Sequence, residues 1–132
     1  VVALASLLGE IGISPALCIS GGRSGRLKAA LSETVGEAAE AMAVHEDADF
    51  ATMDELAAEA EVDLLLGSSK GYKTARALGI PLVRCGFPVH DRIGGARLRH
   101  VGYLGTQELF DRIVNAVIEK RQAENPAGYF YM

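Results

Sequence analysis

Tryptophan is absent from this 132-residue chain, cysteine occurs twice, proline four times, and aromatics make up only 6% of the residues. Two cysteines cannot staple a small secreted scaffold, and neither Cys18 nor Cys85 stands in a C-x-x-C pair, which excludes a disulfide framework. Each ends an apolar stretch, PALC and PLVRC, where a buried free thiol in a reducing compartment is the expectation. No apolar run approaches the roughly 18–20 residues that a membrane-crossing helix needs. The opening VVALASLL lacks the basic flank of a signal peptide. Internal repeats and low-complexity tracts are also missing, and with 49% apolar residues the chain is no disordered segment. It has one domain's length, enough to bury roughly 65–70% of the surface its unfolded chain exposes. The expected compartment is the cytoplasm.

Basic charge is scarce in the first half. Residues 1–66 carry 3 Lys and Arg against 12 Asp and Glu, a net −9, whereas residues 67–132 carry 10 against 5, a net +5. Such asymmetry gives one acidic and one basic surface, which orients partners. Nucleic acid is not among the partners expected, because the overall pI is about 5.3 and the basic half has no interleaved aromatic run.

Val1, Val2, Leu4, Ala5, Leu7, Leu8 and Ile11 form a wide helical stripe that Gly12 ends. A helix so apolar needs a sheet to pack on, and the chain begins without Met; the expectation is a fragment whose first strand lies upstream. PALCIS (15–20) reads as a buried strand. Ser24 is a candidate N-cap for a helix running to Met42, which Gly36 weakens and splits. Residues 43–45 read as a short strand, and Thr52-Met-Asp-Glu55 as a capping box opening a helix through Ala60. VDLLLG (62–67) reads as a strand buried on both faces, Ser69 as the cap of a helix ending at Gly79, and residues 80–83 as another strand. A long loop over 86–100, a last strand near Leu98–Tyr103 and a helix over Thr106–Arg121 follow. In that helix Leu109, Ile113, Ala116 and Val117 are expected to face inward. Short buried strands alternating with amphipathic helices argue for an α/β fold, a Rossmann-like three-layer sandwich with a mainly parallel sheet and helices on both faces. The expected domain covers 1–124, and 125–132 form a tail whose Tyr129, Phe130 and Tyr131 suit docking onto a neighbouring surface.

Two segments carry candidate chemistry. Gly21–Arg26 follows a strand and opens a helix, where free backbone N–H groups attract anions; Gly22, Arg23, Ser24 and Arg26 are the candidate ligands. The turn matches neither dinucleotide nor Walker fingerprint, so a plain surface turn stands beside the anion reading. The second segment gathers Arg84, His90, Arg92, Arg97, Arg99 and His100 around one acid, Asp91, at the carboxyl end of a strand. Either it is a partner surface, or Phe87 and Val89 pin it to the core while its arginines cover helix ends. His45, His90 and His100 have no ligand spacing, and Asp91 beside His90 is placed to orient an imidazole. No catalytic constellation can be assembled from spacing.

The runs LLLGSS (64–69), ALGIPLVRCGFPVHDRIGG (77–95) and VGYLGT (101–106) resemble the C-terminal domain of the nitrogenase component 1 superfamily. Within it they are most similar to the β-like NifN type of subunit, which belongs to the scaffold for iron–molybdenum cofactor assembly. The resemblance implies the third of three Rossmann-like domains. It implies a structural role for Gly86, Phe87, Pro88, Asp91 and Arg92, in a loop that also holds Arg84, His90, Gly94 and Gly95. It further implies an α-like partner subunit, contact of the full complex with the nitrogenase reductase iron protein, and an iron–sulfur or iron–molybdenum precursor cluster held outside this segment. No catalytic or metal-binding residue is expected here. Alternatives are the third domain of a catalytic nitrogenase β subunit, a protochlorophyllide reductase-like oxidoreductase, or a stand-alone anion- or nucleotide-binding module. A domain short of one strand exposes sheet edges, so the isolated segment is expected to self-associate.

Overall fold

The computed structural model describes residues 1–127; the aromatic tail lies outside the described residues. The chain divides into two compact units, Val1–Val62 and the part from Asp63 onward. Among the described residues no helix is long and apolar enough to cross a membrane.

In the first unit, helix α1 (Val2–Glu10) buries Ala5 and Leu8. It stops where the sequence places the stop. Gly12 takes φ +79° and the Ile13 N–H turns back to the Leu8 carbonyl at 2.8 Å, a left-handed exit that a side chain disfavours. Strand β1 (Leu17–Ser20) pairs in parallel with β2 (Ala43–Glu46), Cys18 opposite Val44 and Ser20 opposite Glu46. Parallel pairing requires a crossover, supplied by α2 (Leu27–Val35) and a 3₁₀ segment over Gly36–Ala41. Gly36, at φ +60°, splits that helix as read. Ala5, Cys18, Leu31, Ala39 and Met42 form the core, with Val2, Leu27, Val35 and Val44 packed against it. Helix α3 (Phe50–Glu59) follows.

Its start corrects the capping-box reading. Asp49 is the N-cap and accepts from the Thr52 N–H at 2.8 Å, so Thr52 sits inside the first turn. A carboxylate just upstream outcompetes a hydroxyl for the same orphan amides. Ser24 is not a side-chain cap either: α2 opens at Leu27 after Arg26, and Ser24 serves another purpose described below.

In the second unit, β3 (Leu65–Gly67) and β4 (Leu82–Arg84) pair in parallel, Leu66 opposite Val83. The crossover is a 3₁₀ turn, Ser69–Gly71, and α4 (Tyr72–Leu78), which Gly79 closes in the left-handed conformation. The strand expected over 62–67 shrinks to three residues, all half-buried, because the ladder to β4 spans only that register. Ser68, not Ser69, caps the 3₁₀ turn by accepting from the Lys70 N–H. No strand forms near Leu98–Tyr103. Val101 is extended, but Gly102 turns to φ +72° and the chain enters α5 (Gly102–Glu124) before any ladder can form. Gly105, Leu109 and Ile113 form the buried stripe of α5, at the spacing expected of one helix face. Alternating strands and helices with parallel pairing make this an α/β, Rossmann-like fold.

Candidate functional site

The turn at the carboxyl end of β1 holds an anion already, one of the chain's own. Glu46, at the end of β2, accepts from the Ser24 hydroxyl at 2.5 Å, and from the N–H groups of Ser24 at 2.8 Å, Gly25 at 3.2 Å and Leu27 at 3.4 Å. The Ser24 hydroxyl, helped by these amides, holds the Glu46 carboxyl below its ordinary range. Arg23 pairs with Asp47, the Gly22 N–H donates to Ser20 Oγ, and the Arg26 N–H to Ser24 Oγ. The amides expected to cradle an external anion are thus occupied from within.

The loop after β4 is built around Asp91. Arg84 grips this carboxylate with two nitrogens, Nε at 2.9 and 3.0 Å and Nη2 at 2.6 Å, a fork that suits carboxylate geometry. Ser69 Oγ donates to the same carboxylate and accepts the His90 N–H at 3.0 Å. The Ser69 N–H reaches the Pro88 carbonyl at 3.0 Å. Arg92 adds a longer contact at 3.3 Å to Asp91 Oδ2 and donates to the Asp91 carbonyl. On α5, Arg112 Nη1 donates to the Arg84 carbonyl at 2.6 Å. Loop, crossover turn and strand end are therefore joined through one acid, and the helix is tied to the same strand end through the Arg84 carbonyl. Arg84 also lies over the Tyr72 ring at 5.8 Å, a cation–π arrangement.

Two glycines set the loop's shape. Gly94 adopts φ +81°. Gly95 is buried so tightly that a Cβ would stand 2.4 Å from the Val89 carbonyl oxygen. Val89 is half-buried, but Phe87 is 80% exposed, which corrects the expectation that it pins the loop. Its ring forms a T-shaped pair with His100, centroids 6.1 Å apart. His90 is exposed and enters the network through its backbone, so Asp91 orients Arg84 rather than an imidazole. Gly86 takes φ +69° where the chain leaves the strand, and the Phe87–Pro88 peptide is cis.

The Arg84 and Ser69 bonds hold the Asp91 carboxyl well below the usual carboxylate range. A depressed folded value stabilises the loop above the ordinary value of 3.8 and loses that contribution as the pH falls below it. Amide exchange at His90 and Ser69, corrected for its intrinsic pH dependence, is expected to accelerate progressively as the pH falls below ~4. Asp91→Asn should flatten the profile. Equal slopes in both proteins would remove Asp91 as the cause.

Cys18 and Cys85 are buried and free, and burial pushes both thiols up, away from the thiolate that ligates metals. Among the described residues no group of three or more His, Cys, Asp or Glu side chains is placed to hold a metal ion. These residues do not fit an iron–sulfur cluster.

Sequence reasoning missed Ser69 and Arg112 as members of this network. The first had a signal in the polar GSSK run (67–70) after a strand, the second in an arginine interrupting the Leu109 and Ile113 stripe.

Residues 1–118 match the family model described as nitrogenase component 1 type oxidoreductase. The chain is 37% identical over 120 residues to the nitrogenase molybdenum-iron protein beta chain of Methanothermobacter thermautotrophicus, covering 91% of this chain and 26% of that protein. It is 42% identical over 69 residues to the nitrogenase iron-molybdenum cofactor biosynthesis protein NifN of Rhodobacter capsulatus, covering 52% of this chain and 15% of that one. A solved structure titled "Nitrogenase Cp1 at pH 6.5" superposes with a TM-score of 0.89 at 28% identity, over 99% of this chain and 29% of its own. The chain thus spans about a quarter of the length of the curated relatives it matches.

Proposed function

The chain belongs to the nitrogenase component 1 type oxidoreductase family, and from that premise we propose that it is the C-terminal domain of a scaffold subunit for iron–molybdenum cofactor assembly. The observation that carries the scaffold reading is the identity of 42% with a NifN protein over 69 residues, against 37% with a molybdenum-iron beta chain over 120. The loop agrees with a structural and partner-binding role. Asp91 joins Arg84, Ser69 and Arg92, which makes the loop a fixed frame rather than a reaction centre. Its exposed arginines and Phe87 are the surface offered to an α-like subunit. Precursor cluster and reductase iron protein are engaged by the full complex, in the cytoplasm, with cluster ligands supplied from outside the described residues. The alignment to beta chains covers 91% of the chain and favours a second reading, the corresponding domain of a catalytic β subunit.

Capture of the native protein from anaerobic, nitrogen-limited cells, with partners identified by mass spectrometry and iron counted, tests both. An α-like partner with bound iron and no substrate reduction by the complex is the expected result. Substrate reduction by the isolated complex would establish the catalytic reading instead. A native 14-kDa protein with neither iron nor partner would overturn both.

A further inference from the structure

Among the described residues, two buried side-chain polar atoms lack a hydrogen-bond partner, His100 Nε2 and Arg112 Nη2. Both belong to the join between the loop after β4 and helix α5. The His100 backbone is pressed against the start of α5, where a Cβ on Gly105 would stand 3.1 Å from its nitrogen and its carbonyl carbon. The His100 ring meets Phe87 in the T-shaped pair. Arg112, about two turns on from Gly105, spends Nη1 on the Arg84 carbonyl and Nε on the Glu108 carbonyl.

The two orphans are of complementary kind. A guanidinium nitrogen can only donate. A neutral imidazole with its proton on Nδ1 keeps a lone pair on Nε2 and accepts there, whereas an imidazolium has a donor on both nitrogens. The Arg112 charge acts on His100, so the ring and the guanidinium feel one another. No carboxylate is at hand to neutralise an imidazolium. Glu108 on α5 pairs with Arg99 at 3.6 Å, and Asp111 is exposed to water. In the loop, Asp91 is held by Arg84, Ser69 and Arg92, and His90 and Arg97 are exposed. The Cys85 thiol, also under the Arg112 charge, is pushed up by burial and stays neutral. A protonated ring would therefore set two cations against each other, partly shut away from water.

We propose that His100 is an acid-released latch between the loop and α5. Its neutral imidazole presents the Nε2 lone pair to the Arg112 guanidinium, and a proton there turns attraction into repulsion and lifts the start of α5 from the loop. Burial, and next the Arg112 charge, push the imidazole below its ordinary value of 6.5. A proton binds more readily when the latch is open, so the closed form is favoured above 6.5 and loses that advantage as the pH falls below it. The Asp91 contribution is lost only below ~4, which separates the two effects in one titration.

Hydrogen exchange of the native protein, read by mass spectrometry from pH ~7.5 to ~5 and corrected for intrinsic pH dependence, tests the latch. Peptides spanning residues 99–106 are expected to exchange about threefold faster or more at the acidic end. His100→Gln can still accept from Arg112 and cannot take up a proton, so its profile should be flat. Arg112→Gln removes the cation that faces the ring and should shrink the step, an independent reading if His100→Gln folds poorly. A wild-type profile without a step above pH ~5, or an undiminished step in either variant, would overturn the proposal. The latch rests on the fold alone, and subunit composition and iron content are read separately, so its failure leaves the family function standing.

Discussion

Ile113→Ala is expected to destabilise the second unit by about 3–4 kcal/mol, within the range for removing a fully buried branched side chain from a core. Ile113 is 0% exposed, and Leu109, one turn earlier on α5, is 1% exposed. Three carbons are lost, and a close-packed core collapses only partly into the space, so a cavity term adds to the transfer term. The strand behind this helix should report the loss. The Cys85 N–H, bonded to the Gly67 carbonyl at 2.9 Å, is expected to lose hydrogen-exchange protection by about two to three orders of magnitude if it exchanges through opening of the whole unit. Unchanged protection at Cys85 and Val83 would mean that α5 does not hold β4 in place.

Gly95→Ala should cost nearly as much, about 3 kcal/mol, at the upper end for forcing extra volume into a packed site. The new Cβ would sit 2.4 Å from the Val89 carbonyl oxygen and 2.8 Å from Val89 Cγ1. The nearest obstacle is backbone, which cannot rotate away as a side-chain end can. Either the loop moves or the 3₁₀ turn over Gly95–Arg97 opens. Gly94→Ala next door has a different cause and a smaller expected cost of roughly 1–2 kcal/mol, from a left-handed φ that an alanine disfavours. Gly67→Ala, with nothing within 4 Å of its Cβ, serves as the control. Amide exchange at Arg97 and Leu98 should rise most for Gly95→Ala. Under the proposed function the same variant should also release the α-like subunit during purification. Intact loop protection in Gly95→Ala would show that Val89 yields, and would discard the steric account.

Glycine was the most legible letter in this sequence. Gly12, Gly36 and Gly79 each end or split a helix where their positions say they should, because a left-handed exit is a local property of the backbone. The runs at 15–20, 43–45 and 80–83 were legible as strands for a similar reason, and strands form there over Leu17–Ser20, Ala43–Glu46 and Leu82–Arg84. Caps were harder. Ser24, Thr52 and Ser69 each had a credible capping register, yet Ser24 bonds Glu46, Thr52 donates to Asp49 and Ser69 bonds Asp91. A hydroxyl goes to the strongest acceptor within reach, and in two of these three cases that acceptor lies more than twenty residues away.

By itself, then, the sequence determined the alternation of strands and helices, the family through its GFPVHDR and VGYLGT runs, and the glycine-rich loop as the segment of interest. Periodicity, turn chemistry and contiguous motifs are properties of neighbours along the chain. Tertiary structure alone decided how charges were paired. Asp91, flanked in sequence by His90 and Arg92, takes its main partner from Arg84 on the preceding strand and its second from Ser69 on the crossover. The inviting turn at Gly22–Arg26 is filled by Glu46 because parallel pairing sets the ends of β1 and β2 side by side. Arg112, on α5, reaches the Arg84 carbonyl at the end of β4, while its Nη2 is buried without a hydrogen-bond partner among the described residues. Electrostatic partners are chosen by distance in space, and only the folded chain fixes that distance.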